Sequence, residues 1–207
     1  MGERGRFVVF EGVDHCGKTS QVDRAEAFLK ERNLPYRRLR EPGGTLVGER
    51  IRELLLNDKK IEISPRAELM LFFASRFQLC ETVIEPALND GMTVLLDRYY
   101  YSSAAYQGPF SYGSTWVLYM AEHWLRLRQP DLVIYLDGRP EILSARAHGP
   151  GDRIESKGLD YQKQVRDAYQ AMAADRTNIF ATIDAEDPID KVWGKVKRAL
   201  SYLLGVA

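Results

Sequence analysis

Cysteine is scarce in this chain. Cys16 and Cys80 are the two present in 207 residues, and neither sits in the CxxC spacing of a zinc or redox site, so a disulfide framework is excluded and free thiols are expected. Net charge is missing as well: 29 Lys and Arg face 29 Asp and Glu. That balance offers no broad basic surface for nucleic acid and none for an anionic membrane. Long apolar runs are also lacking. Leu69 to Ala74 is among the longest, well short of the ~18 residues a membrane helix needs. Near the start, Phe7-Val-Val-Phe10 is interrupted at once by Glu11, which is too brief for the core of a secretory signal and points to the cytoplasm. Repeats, low-complexity tracts and shifts of composition are absent. Hydrophobic residues at 45% and charged residues at 28% are ordinary for a globular protein, and a single domain over residues 1–207 is expected.

What the chain does have is alternation. Five short runs rich in β-branched or aromatic residues, at 7–10, 36–39, 93–96, 132–136 and 178–183, are separated by stretches of helical period. This is the pattern of an α/β fold, a parallel sheet with crossover helices. The run at 36–39 is weak because Arg37 and Arg38 interrupt it. Helices are expected at about 18–32, 47–57, 65–89, 114–128, 140–147, 159–176 and 188–203. Ser64-Pro65 and Asp187-Pro188 read as capping residues followed by proline at the first helical position. Pro86 should bend or end the third helix early. The stretch from Ala147 to Ile154 carries two glycines and a proline among charged residues and breaks the helical pattern.

Gly12-Val-Asp-His-Cys-Gly17-Lys18-Thr19 matches GxxxxGKT, with a strand before it and a helical run after it. In this context glycines let successive backbone N–H groups face a polyphosphate, and the helix start adds its positive end. Lys18 supplies a mobile charge and Thr19 the hydroxyl that ligates magnesium in this motif. A carboxylate at a strand end is the usual partner of such a metal. Both Asp97 and Asp137 qualify, and either could simply cap the next element. Arg98 tips the choice to Asp97, because a guanidinium beside that carboxylate suits a second phosphate group. Two phosphorylated substrates meeting at one site are therefore expected.

At this point the chain resembles a nucleoside monophosphate kinase, specifically of the thymidylate kinase family. The resemblance spans nearly the whole chain and rests on Phe10-Glu-Gly-Val-Asp14, Arg40-Glu-Pro-Gly-Gly-Thr45, Phe72-Phe-Ala-Ser-Arg76, Asp97-Arg98-Tyr99, Ser102-Ser-Ala-Ala-Tyr-Gln-Gly108 and Gly151-Asp-Arg-Ile-Glu155. It implies a P-loop NTPase fold, a five-stranded parallel sheet of order 2-3-1-4-5 flanked by helices, with a mobile lid at about 147–158. It also implies phosphoryl transfer from ATP to dTMP, Mg2+ held by Thr19 and Asp97, and a homodimer. By the same resemblance Phe72 stacks on thymine and Arg76 donates to its 4-carbonyl, although composition alone would make Phe72 a core side chain. Ser103 faces the base edge, Tyr106 crowds the place of a 2′-hydroxyl, and Tyr99, Gln107 and Pro42 belong to the same acceptor site. Arg40 falls near the monophosphate or in a surface salt bridge.

Asp14 is similar to the loop acid near the 3′-hydroxyl, and Arg98 to the arginine that bridges donor and acceptor phosphates. Gly12, His15, Cys16, Gly17 and Ser20 complete the loop around ATP. Arg146 is similar to an arginine packed on adenine, and Arg153 to a lid arginine that reaches the transferred phosphoryl. Lys18, Asp97, Arg98 and Arg153 form the expected catalytic set. His15 departs from the family pattern, which has arginine or a small residue there, and is a weaker cation than arginine at neutral pH. The Glu41-Pro42 bond is a candidate cis peptide by resemblance. Asp184 to Asp187 is a regional guess for the adenine site. Two rival readings are a kinase for another nucleoside or nucleotide, and a GTPase switch or silent ATP sensor. The second is disfavoured by the lack of an NKxD segment and by the intact charged set.

Overall fold

The computed structural model describes residues 4–57, 61–146 and 151–206. Its centre is a five-stranded, wholly parallel sheet of order β2-β3-β1-β4-β5, the order the resemblance implies. The strands are β1 (Phe7–Glu11), β2 (Tyr36–Arg40), β3 (Thr93–Asp97), β4 (Leu132–Asp137) and β5 (Phe180–Asp184). Strand β1 is buried along its whole length, as expected of an inner strand covered by helices on both faces. Its neighbours β3 and β4 are buried except at their ends. The two arginines that weaken the 36–39 run are explained by position: β2 lies at the sheet edge and both face solvent, where charge also deters pairing with another chain.

Nine helices flank the sheet among the described residues: α1 (Lys18–Glu31), α2 (Leu46–Arg52), α3 (Pro65–Leu79), α4 (Glu85–Asn89), α5 (Tyr100–Tyr106), α6 (Ser114–Tyr119), α7 (Pro140–Leu143), α8 (Leu159–Asp175) and α9 (Ile189–Leu204). Amphipathic period explains the outer ones. In α9, Val192, Val196 and Leu200 recur every four residues and are buried; each such side chain contributes roughly 1.5–3 kcal/mol.

Several expected helices are shorter or broken. The run at 65–89 divides at a π-helical turn, Cys80–Ile84, just before Pro86, which has no N–H for the regular ladder. The runs at 47–57 and 114–128 also end in π-helical turns, Glu53–Asn57 and Met120–Trp124. The expected helix at 140–147 is α7 followed by a 3-10 turn, Ser144–Arg146. Residues 147–150, which hold the end of that helix and the start of the expected lid, lie outside the described residues.

The capping expectations need correction. Ser64 is the N-cap of α3 but its side chain makes no cap bond. Pro188, not Asp187, is the N-cap of α9, and Asp187 pairs instead with Lys191 and Lys195 at 2.9 and 2.8 Å. Helix α5 was not expected at all. All seven of its residues are buried, so Tyr-Tyr-Ser-Ser-Ala-Ala-Tyr shows no contrast between faces.

Candidate active site

The carboxyl ends of β1 and β3, the start of α1, and the loops after β2 and β5 open onto one cleft of about 1360 Å3. That exceeds the ~300–1,000 Å3 of an ordinary small-ligand pocket and leaves room for two ligands. The loop between β1 and α1 forms one wall. Gly12 has φ 146°, and a Cβ there would lie 2.6 Å from Leu136 O, so glycine is required. Gly17, at φ 90°, is the N-cap of α1. Between them His15 also takes a left-handed backbone, φ 61°. Lys18 is buried against the loop, its Nζ donating to the carbonyls of Gly12 and Val13 at 3.0 and 2.9 Å. Thr19 and Ser20 are exposed and line the cleft, as do Asp14, His15, Cys16 and Gly17.

The two candidate metal carboxylates are separated by their partners. Asp137 is saturated: it accepts from Arg166 Nε at 2.8 Å and NH2 at 3.0 Å, from Tyr135 OH at 2.8 Å and from Gln170 Nε2 at 3.1 Å. Asp97 lines the cleft, and its shielded Oδ1 has no hydrogen-bond partner among the described residues. A buried carboxylate oxygen left unpaired costs free energy unless something else binds it. Among the described residues no group of three metal-ligating side chains occurs. One carboxylate, one exposed hydroxyl and substrate phosphates suit Mg2+, which keeps few protein ligands.

Arg98 follows Asp97 in a left-handed conformation, φ 69°. Its guanidinium reaches across to the loop, donating to Gly12 O at 3.0 Å, Asp14 Oδ1 at 2.5 Å, Ser102 Oγ at 3.2 Å and Tyr106 OH at 3.3 Å. Burial alone would raise the Asp14 pKa. Arg98, Lys18 and hydrogen bonds from Gln162 and Tyr106 outweigh it and hold the carboxyl below its ordinary range. Gln162 of α8, at 2.7 Å from Asp14 Oδ2, carries no motif that sequence reading could have used.

At the other end of the cleft Phe72, Ser103, Tyr106 and Gln107 line an aromatic and polar wall, with Pro42 beside them. The Glu41-Pro42 peptide is cis. Arg76 stands one hydrogen bond behind that wall. It is 1% exposed, donates to Ser103 Oγ at 3.1 Å, and is clamped by Glu41 Oε2 at 2.7 Å. Burial pushes the Glu41 carboxyl up to about 7 against the pull of Arg76. Tyr99 is fully buried, with its hydroxyl 3.5 Å from Cys80 Sγ, and does not line the cleft. Arg40 does line it and also pairs with Glu49 at 3.0 Å. Arg52, missed by the sequence reading, adds a cation to the same wall and donates to Pro42 O at 2.9 Å.

Beside the loop after β5, Arg146 lines the cleft and donates to Ala185 O at 2.9 Å. Ala185, Glu186 and Asp187 line it as well. Arg139 pairs with Glu186 at 2.7 Å. Arg153 is placed differently from its expected use. Its Nε donates to Leu55 O at 2.7 Å and its NH2 bonds Glu68, which also holds Lys157 and Gln107. It is not part of the cleft lining in this arrangement.

A phosphate loop, an unpaired strand-end aspartate and an arginine bridging to the loop are thus brought together in one cleft. The sequence profile described as Thymidylate kinase matches residues 10–196. The chain belongs to the thymidylate kinase family. Among its relatives, the thymidylate kinase of Fervidobacterium nodosum is 39% identical over 96% of this chain and 100% of its own length. That of Caldanaerobacter subterraneus subsp. tengcongensis is 40% identical over 98% of each chain. That of Carboxydothermus hydrogenoformans is 36% identical over 98% of this chain and 100% of its own.

Proposed function

We propose that this kinase phosphorylates dTMP to dTDP, with ATP as donor and Mg2+ as the metal. The observation that carries the reading is the single cleft shared by the phosphate loop, Arg98 and the Phe72–Tyr106 wall. A phosphate monoester is largely ionised at neutral pH, its second pKa being about 6. A strong general base is therefore unnecessary, and catalysis is positioning with charge neutralisation.

Thr19 and Asp97 would hold magnesium, which would supply charge neutralisation for the donor phosphates. The chain's own groups do the rest. The loop amides and the start of α1 face the donor phosphates, and Lys18 exchanges its loop carbonyls for them. Arg98 takes the acceptor phosphate and bridges it to the donor. Asp14 steadies Arg98 at 2.5 Å. Phe72 stacks on the thymine and Ser103 faces its edge, with Arg76 acting through or beside Ser103. Tyr106 occupies the space of a 2′-hydroxyl. Arg146 flanks the adenine.

Arg153 is the cation for the phosphoryl group in flight and reaches it by exchanging Glu68 for phosphate, a lid step that also excludes water. The reading includes one kinase domain with its lid at about 147–158. It further includes a cytoplasmic enzyme, which two buried free thiols suit, and a homodimer. No helix among the described residues is long and apolar enough to cross a membrane. The test is ATP-dependent conversion of dTMP to dTDP by the purified protein, with AMP and GMP as competing acceptors.

A further inference from the structure

Glu11 ends β1, and its side chain is completely buried. An enclosed carboxyl group is tolerated only where its hydrogen bonds are met. All of its partners come from the segment that follows Arg98 and from Tyr169 on α8. Oε1 accepts from the backbone N–H of Tyr99 at 2.8 Å and of Ser102 at 3.2 Å. Oε2 accepts from Ser102 Oγ at 2.7 Å and from Tyr169 OH at 2.6 Å. Tyr99 is the N-cap of α5 and makes no side-chain cap bond. The N-cap amide, which a local capping box would satisfy, is held instead by a residue 88 positions earlier in the chain, and the Ser102 amide is shared between Glu11 and Tyr99 O, the latter at 3.0 Å.

Two features connect this clamp to the reacting groups. The residue before the clamped amide is Arg98, whose backbone sits in the left-handed region, φ 69°; a non-glycine residue persists there only when its surroundings fix it. Ser102 Oγ also touches both ends, 2.7 Å from Glu11 Oε2 and 3.2 Å from Arg98 NH1. Burial keeps the Glu11 pKa above the ordinary carboxylate range, opposed by Tyr169, Arg98, Ser102 and Tyr99. Glu11 itself does not line the cleft.

We propose that Glu11 is a positioning residue, which fixes the turn between β3 and α5 and, through Ser102, aims the Arg98 guanidinium at the acceptor phosphate. This rests on the reading of Arg98 as the cation for that phosphate. Its consequence is selective. Loss of the clamp should weaken recognition of the phosphate far more than recognition of the base and sugar, made by Phe72 on α3 and by Ser103 and Tyr106 further along α5.

The test compares dTMP with thymidine, which lacks only the phosphate, by titration calorimetry, alongside steady-state kinetics and thermal melts. Glu11→Met keeps the side-chain length and removes all four acceptor contacts, whereas Glu11→Gln keeps an acceptor oxygen for the two amides. Glu11→Met should weaken dTMP and lower kcat about tenfold or more, with thymidine affinity and the KM for ATP within about twofold of the parent. Glu11→Gln should restore most of the loss. A folded Glu11→Met variant that binds dTMP like the parent, or loses thymidine as much as dTMP, overturns the proposal. Should that variant not fold, Ser102→Ala, which removes the relay hydroxyl, carries the same expectation and the same refuting results. Failure of the dTMP reading looks different: the parent enzyme itself would prefer another monophosphate, and the comparison would then be made with that monophosphate and its nucleoside.

Discussion

Replacing Arg153 by alanine should produce two losses of separate origin. The first is structural. Arg153 and Glu68 form an ion pair whose side chains are 14% and 3% exposed, and removing one partner of a buried pair costs ~3–5 kcal/mol. Glu68 keeps Lys157 at 3.3 Å and Gln107 at 3.1 Å, which places the cost at the lower end, about 3 kcal/mol. For a chain of this size ~1 kcal/mol moves Tm by ~2–4 °C, so Tm should fall by about 6–12 °C. The second loss is in rate. An arginine delivered to a phosphoryl group in flight is worth ~10³ or more.

A second substitution separates the two. Adding Glu68→Gln to Arg153→Ala removes the stranded carboxylate and should return most of the Tm while kcat stays ~10³-fold down. The assay is coupled ADP release at saturating ATP·Mg and dTMP, with a calorimetric melt of each variant. His15→Ala should cost much less than Arg153→Ala near pH ~7.5, where arginine is the stronger cation. Recovery of kcat together with Tm in the double variant, or a single variant within about tenfold of the parent, would refute Arg153 as the cation acting on the phosphoryl group.

Three further outcomes follow from the cleft. Asp97→Asn should raise the Mg2+ concentration needed for half-maximal rate, because the unpaired Oδ1 then sits in a neutral amide; an unchanged Mg2+ titration would remove Asp97 from the metal site. Cys16, in the phosphate loop with Lys18 Nζ 3.6 Å away, should alkylate before Cys80, whose thiol burial pushes up to about 12. ATP·Mg should protect it, and peptide mapping that finds Cys80 labelled first would contradict this. Glu41, lifted to about 7, sets a pH dependence of stability. The unfolded carboxyl ionises near ~4.3, so between there and about 7 the folded chain holds a proton the unfolded chain has released, and Tm should fall as pH rises through that window. Glu41→Gln should flatten that fall in melts at either end of the window, and an equally steep fall in the variant would exclude Glu41 as its source.

Local signals carried the core of this reading. The phosphate loop is contiguous, from Gly12 to Thr19, and its spacing states its chemistry. The inner strands were legible because each is a β-branched or aromatic run bounded by turn residues. What escaped was tertiary. Glu11 looked like an interruption of an apolar run, yet it caps a helix far along the chain. Glu68 stood inside an apolar helix with nothing to mark it as the partner of Arg153. Arg76 read as a free donor to the base, whereas Glu41 closes on it from the loop after β2. Partners of this kind are fixed by which sheet edge and which helix face meet, and spacing along the chain does not encode that. Helix α5 was missed for the opposite reason, since burial on every side erases the period.

The measurement that bears most directly on the assignment is kcat/KM for dTMP, dUMP, AMP and GMP with ATP·Mg as donor. A flat aromatic wall at Phe72, a single cation behind Ser103 and Tyr106 in the place of a 2′-hydroxyl favour a small deoxypyrimidine. The methyl group that separates dTMP from dUMP is worth only ~1–3 kcal/mol in an apolar pocket. The account predicts dTMP first and dUMP lower but measurable, with both purine nucleotides far behind; AMP or GMP turned over faster than dTMP would contradict it.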